Sequence, residues 1–270
     1  MITNFSASYA GHLVDEKIGL EGTPANERWY SNDQLIETFD WALDISKHLE
    51  KLGFQEFWMA EHHFQPEGYE AIPNLIMLGL YLSTQTETLK FGCGFNIVPM
   101  WHPLRLAEDF AMADVLSKGR IIFGVGRGYH TREVETFGAP MLDSDANREL
   151  FEEQVEVITK AWSQDEPFDH EGEFWRFNDM TTHPRPVQDP YPPVWVAASS
   201  PASLERVARN DWNLMIGQGE PFDQVAQQVE SYSTAVGEAG FEYSPKRVVL
   251  ARPMYTATSE EMAREDTKPP

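Results

Sequence analysis

Apolar positions recur along this chain in two rhythms. Leu35, Ile36, Phe39, Leu43, Leu49 and Leu52 form one stripe at helical spacing, and Leu104, Ala107, Phe110, Ala111 and Leu116 form another. Phe151, Val155, Ile158 and Trp162 make a third, and Phe222, Val225, Ala226, Val229, Tyr232 and Val236 a fourth. Aromatics at these spacings read as core. Between the stripes lie short runs rich in β-branched and aromatic residues. They predict strands near Ile2–Tyr9, Phe54–Ala60, Leu89–Val98, Arg120–Gly126, Val194–Ala198, Trp212–Ile216 and Arg247–Thr256. Several are apolar without alternation, the pattern of strands covered on both faces. Seven strands separated by helices predict an α/β fold, and a (β/α) barrel rather than an open sheet. Glu171–Arg185 reads as a surface hairpin inserted before the fifth strand. No repeat or low-complexity linker divides the sequence, so a single domain over residues 1–270 is expected.

Composition narrows the function classes. The formal charge is −22, which repels nucleic acid and anionic membrane, so neither is expected as a partner. The single cysteine, Cys93, rules out an intrachain disulfide and a cysteine-based zinc site. It fits a reducing compartment, and a cytoplasmic location is expected. No apolar run has spanning length, and Met1-Ile2-Thr3 leads straight into apolar sequence, so neither a membrane span nor a secretory leader is expected.

Three of the predicted strands end in polar or glycine-rich chemistry. In a parallel α/β protein those ends share one face, where the active site lies. Glu61-His62-His63 follows the second strand. Neighbouring side chains on a strand point apart, which argues against a two-histidine metal pair, and no metal is expected. A histidine at a pocket suits proton transfer instead; the alternative is a hydrogen-bonded structural histidine. Gly124-Val125-Gly126-Arg127-Gly128 lacks the G-x-G-x-x-G spacing of a dinucleotide fingerprint, since position 129 is Tyr. Its glycines let the backbone turn tightly and approach a ligand, and Arg127 offers a planar cationic fork suited to phosphate; a plain turn with a surface arginine is the alternative. Ser199, Ser200 and Ser203 open a predicted helix, Ala202–Arg209, with Ser200 as N-cap ahead of Pro201. Hydroxyls and free amides at a helix start also make an anion site.

The stretches GFQEFWMAEHHF (53–64), GCGFNIVPMWHPLRLAED (92–109), LSKGRIIFGVGRGYHTREVETFG (116–138) and PVWVAASSPAS (193–203) together resemble the bacterial luciferase-like flavin-dependent monooxygenases. The likeness runs from about Met1 to Ser259. It implies a (β/α)8 barrel of TIM type. It also implies a reaction in which reduced FMN and dioxygen form a C4a-hydroperoxyflavin that oxidises a small organic substrate. A separate flavin reductase is the implied supplier of reduced flavin, and a homodimer through helices including Leu104–Leu116 the implied assembly. By the same resemblance His62 is the catalytic histidine and His63 its supporting neighbour. Arg127 is the phosphate arginine, with the backbone of Tyr129 beside it, and Ser199, Ser200 and Ser203 take the other phosphate positions. Gly94-Phe95 falls where many members carry a cis peptide under the flavin ring. The family's eighth strand and last helix have no counterpart before Pro270, so exposed barrel edges, lower stability and association are expected. Three alternatives stay open: an F420-dependent oxidoreductase of the same fold, a non-catalytic partner subunit and a metal-dependent barrel hydrolase.

Overall fold

The computed structural model describes residues 4–13, 29–68, 70–128, 130–138 and 143–268. It divides into two compact units, Met1–Val196 and Ala197–Pro270.

The first unit is built from strands alternating with helices. In chain order these are β1 (Ser6–Tyr9), α1 (Asn32–Lys51), β2 (Glu56–Met59), α2 (Leu75–Ser83), β3 (Lys90–Cys93), β4 (Asn96–Ile97), α3 (Pro103–Ser117), β5 (Ile121–Ile122), β6 (Gly124–Gly126), α4 (Thr131–Thr136), α5 (Ser144–Ser163), β7 (Phe168–Glu171), β8 (Arg176–Met180) and β9 (Trp195–Ala197), the last running into the unit boundary. β1, β2, β3 and β5 pair side by side, all parallel, with Phe57 opposite Phe91 and Phe91 opposite Ile121. β4, β6 and β9 form a second parallel set. The expected run Leu89–Val98 is thus two strands, broken at Gly94-Phe95, and Arg120–Gly126 is likewise split at Phe123. The inserted hairpin, β7–β8, is antiparallel and begins at Phe168, ahead of the expected Glu171.

Local chemistry starts and stops these helices. Ser31 caps α1 in a reciprocal box with Gln34. Asn74 caps α2 by accepting from the Met77 amide, 2.8 Å away. Pro103 opens α3, and Lys118 ends it in the left-handed region. The helices pack on the sheets through Phe110, Phe123 and Trp162, whose rings lie 4.8–5.4 Å apart. The Trp162 indole is still satisfied, donating to Ala107 O at 3.0 Å.

Close packing fixes two glycines. A Cβ on Gly124 would lie 1.7 Å from Cys93 O, and one on Gly172 would lie 2.0 Å from Glu153 Oε1. The second contact is part of a clasp. Glu153 on α5 accepts from the amides of Glu173, Phe174 and Trp175 and meets His170 Nε2, tying the hairpin to the helix.

The second unit holds α6 (Pro201–Arg209), β10 (Asn213–Ile216), α7 (Phe222–Glu238), β11 (Val248–Leu250) and α8 (Glu260–Asp266). β10 and β11 are parallel, and α6 packs along α7. Tyr232 is fully buried and donates to Trp212 O at 2.6 Å. Among the described residues no helix is long and apolar enough to cross a membrane.

Candidate functional site

β2 ends at Met59, so Glu61, His62 and His63 stand on irregular backbone rather than on the strand. Their side chains go to different partners. Glu61 is buried and collects three donors: His63 Nε2 at 2.9 Å, Ile97 N at 3.2 Å and Trp101 Nε1 at 3.3 Å. His62 lies between two other carboxylates. Its Nδ1 is 3.1 Å from Glu133 Oε1, and its Nε2 is 2.9 Å from Glu70 Oε2. Its ring also meets that of His130 edge to face, with centroids 5.0 Å apart.

Glu133 holds this corner together. It is buried on α4, and its Oε1 also accepts from the His63 amide at 2.9 Å and from Gln65 Nε2 at 3.0 Å. Burial pushes its carboxyl up, but the bond from His62 and the amide and amide-like donors pull it below the usual carboxylate range. Burial likewise disfavours the charged form of the His62 ring. The bonds and charges of Glu133 and Glu70 outweigh that and raise it from 6.5 to about 9. At neutral pH this histidine is an imidazolium held in place by its neighbours. His63 packs against Phe137 at 4.9 Å, and Phe137 against Phe64 at 5.3 Å, which forms an aromatic edge beside the network.

The other expected residues fall in two places. The Gly94–Phe95 peptide is cis, and it lies where β3 gives way to β4. Arg127 follows β6 directly and is half-buried; Gly128 after it takes a φ of +76°, a turn closed to most other residues. Asn147 Nδ2 reaches Arg127 O from α5 at 3.5 Å. Tyr129 lies outside the described residues. In the second unit Ser200 caps α6: Ser203 N donates to Ser200 Oγ at 3.3 Å, and the Ser200 hydroxyl donates to Ser203 Oγ at 2.9 Å. Ser199 and Ser200 are exposed, and the Ser199 carbonyl accepts from Gln228 Nε2 at 3.3 Å. The first unit thus gathers His62 and His63 with Glu61, Glu70 and Glu133, and the second gathers the serines.

Glu70, His130 and Glu133 were absent from the sequence reading. Glu133 had one usable signal, a carboxylate beside Val134 on the buried side of a short helix. Glu70 sits in a loop and gave none.

The chain is similar to known proteins in both sequence and fold. The family model described as luciferase-like monooxygenase matches residues 18–269. The oxygenase component of a flavin-dependent trigonelline monooxygenase from Acinetobacter baylyi is 29% identical over 228 residues, 84% of this chain and 62% of that protein. The chain therefore spans less than two thirds of that relative's length. Among solved structures, the monooxygenase RslO1 from Streptomyces bottropensis superposes with a TM-score of 0.77 at 30% identity, covering 85% of this chain and 69% of that one. The oxygenating constituent of 3,6-diketocamphane monooxygenase from Pseudomonas putida, solved with FMN, gives a TM-score of 0.77 at 23% identity, covering 87% and 67%.

Proposed function

The chain belongs to the luciferase-like monooxygenase family, of TIM-barrel type, and from that premise we propose that it is a flavin-dependent monooxygenase using reduced FMN and dioxygen to oxidise a small organic substrate. The observation that carries the reading is the buried His62 imidazolium between Glu133 and Glu70. Its proton is held at a fixed place next to an apolar edge, ready for delivery to a reacting oxygen atom.

The donor chemistry of each unit suits FMN. Arg127 on its glycine turn offers a guanidinium fork, and Ser199, Ser200 and Ser203 offer hydroxyls at the start of a helix; both sets match a phosphate monoester. Gly94-Phe95, with its cis peptide, is the proposed flavin-ring contact. Bound reduced FMN supplies the electrons that activate dioxygen. The protein's part is to orient, to exclude water and to hold the proton on His62, while Glu61 fixes His63 through its Nε2.

A separate reductase is the proposed source of reduced flavin, in keeping with a relative described as an oxygenase component. A second copy is the proposed partner of α2 and α3, which lie side by side and expose Met77, Tyr81, Met112 and Leu116. The lone buried cysteine supports a cytoplasmic setting.

Anaerobic mixing with reduced FMN, followed by labelled dioxygen and a panel of small organic substrates, tests the function. Flavin should bind tightly, reoxidise more slowly than in free solution, and pass label into product. Reoxidation at the free rate without labelled product, or binding of reduced F420 in place of FMN, would overturn it.

A further inference from the structure

Glu70 Oε2 is sealed from solvent, and its charged partner is the His62 ring, whose Nε2 lies 2.9 Å away. A buried carboxylate oxygen needs a positive charge beside it, and either the His62 imidazolium or a metal ion can supply one to this oxygen.

Two further donors face it. His62, Glu70 and His130 each present a ligand atom, and the atoms all lie within 4.8 Å of one another. Ligands about 2.0–2.1 Å from one zinc ion sit roughly 3.3 Å apart, so a small rotation of a side chain closes the set. Two imidazoles and one carboxylate are a donor set that zinc prefers. Glu133 adds the outer support such sites use, because it takes His62 Nδ1 and turns Nε2 toward Glu70. His62 and His63 go to different carboxylates, and His130, 68 positions on from His62, supplies the second imidazole instead.

We propose that His62, Glu70 and His130 form a binding site for one zinc-class divalent cation. On binding, the ion takes the Nε2 electron pair of His62, and the proton carried there leaves to water; nothing is oxidised or reduced. Three protein ligands leave a fourth position for water. The site shares His62 with the proposed function, so metal and proton exclude each other there, and zinc acts as an inhibitor of the oxygenation.

Metal-free, flavin-free protein titrated with zinc chloride by calorimetry gives the first readout. One saturable equivalent is expected, lost in Glu70→Gln and in His130→Gln and weakened at least ~10-fold in Glu133→Gln. Cobalt(II) added to the wild type gives the second and needs no variant to fold: the intense visible absorption of a four-coordinate ion is expected. No saturable equivalent, one that survives in both ligand variants, or only the weak spectrum of six-coordinate cobalt would overturn the site. Oxygenation measured in zinc-free buffer reports on the monooxygenase reading alone, so either idea can fail without the other.

Discussion

Past the end of β2, Glu61 and His62 are buried and bonded to other protein groups, among them Glu133 of α4; at the start of α6, Ser199 and Ser200 are exposed. Both places lie where a strand hands over to polar chain. At the first, partners arrive from far along the sequence, Glu133 from 71 positions away. At the second, the bonds of Ser200 and Ser203 are to each other. Buried charge survives only when its partners are fixed, so the first region is rigid and its proton has an address. The exposed Ser199 hydroxyl and the amides of the helix start can meet an anion from solution directly, whereas the Ser200 and Ser203 hydroxyls must first give up their present bonds.

The largest expected effect breaks the first region. His62→Ala should cut substrate oxidation at least ~100-fold while leaving flavin affinity nearly intact, as steady-state turnover and fluorescence titration would show. Unchanged turnover would make the ring purely structural. Arg127→Ala should weaken FMN binding by roughly 1.5–3 kcal/mol and riboflavin binding far less, because only the phosphate meets a charged donor. Equal losses for both flavins would remove Arg127 from the phosphate.

Glu133→Gln sharpens the contrast through pH. A histidine raised from 6.5 to about 9 in the folded state contributes stability that is complete below 6.5 and lost as pH climbs through 9. Denaturant unfolding of the wild type should therefore weaken across that range. In Glu133→Gln the loss should come at lower pH, and overall stability should fall by about 1–3 kcal/mol. An identical pH profile in the variant would mean that Glu133 does not set the charge of His62. The smallest effect belongs to the second region. Ser200→Ala removes the cap of α6 and should cost about 1 kcal/mol by chemical denaturation. Ser199→Ala, whose hydroxyl caps nothing, should leave stability alone and lower only FMN affinity.

The same contrast explains what could be read from the chain. α1, α3, α5 and α7 were legible because one face of each is apolar and the other is not. α2 was missed because Leu75, Ile76, Leu78 and Leu82 are all buried and Met77 and Tyr81 are apolar too, so no stripe stands out. The Ser200 cap was legible because its bonds are local. The His62 network was only half legible. The histidine marks itself at a strand end, but Glu70 lies in a loop and Glu133 on a six-residue helix, and no local pattern ties either to it.

Glu133 has a mechanical consequence. One oxygen receives His62 Nδ1, the His63 amide and Gln65 Nε2, while its neighbour Arg132 donates to Phe64 O at 2.9 Å. Two consecutive residues of α4 thus grip the segment 62–65 at both its side chains and its backbone. Four hydrogen bonds tie that helix to that segment, so the place of the proton-bearing ring is fixed by a stretch of chain some seventy positions away as much as by its own backbone.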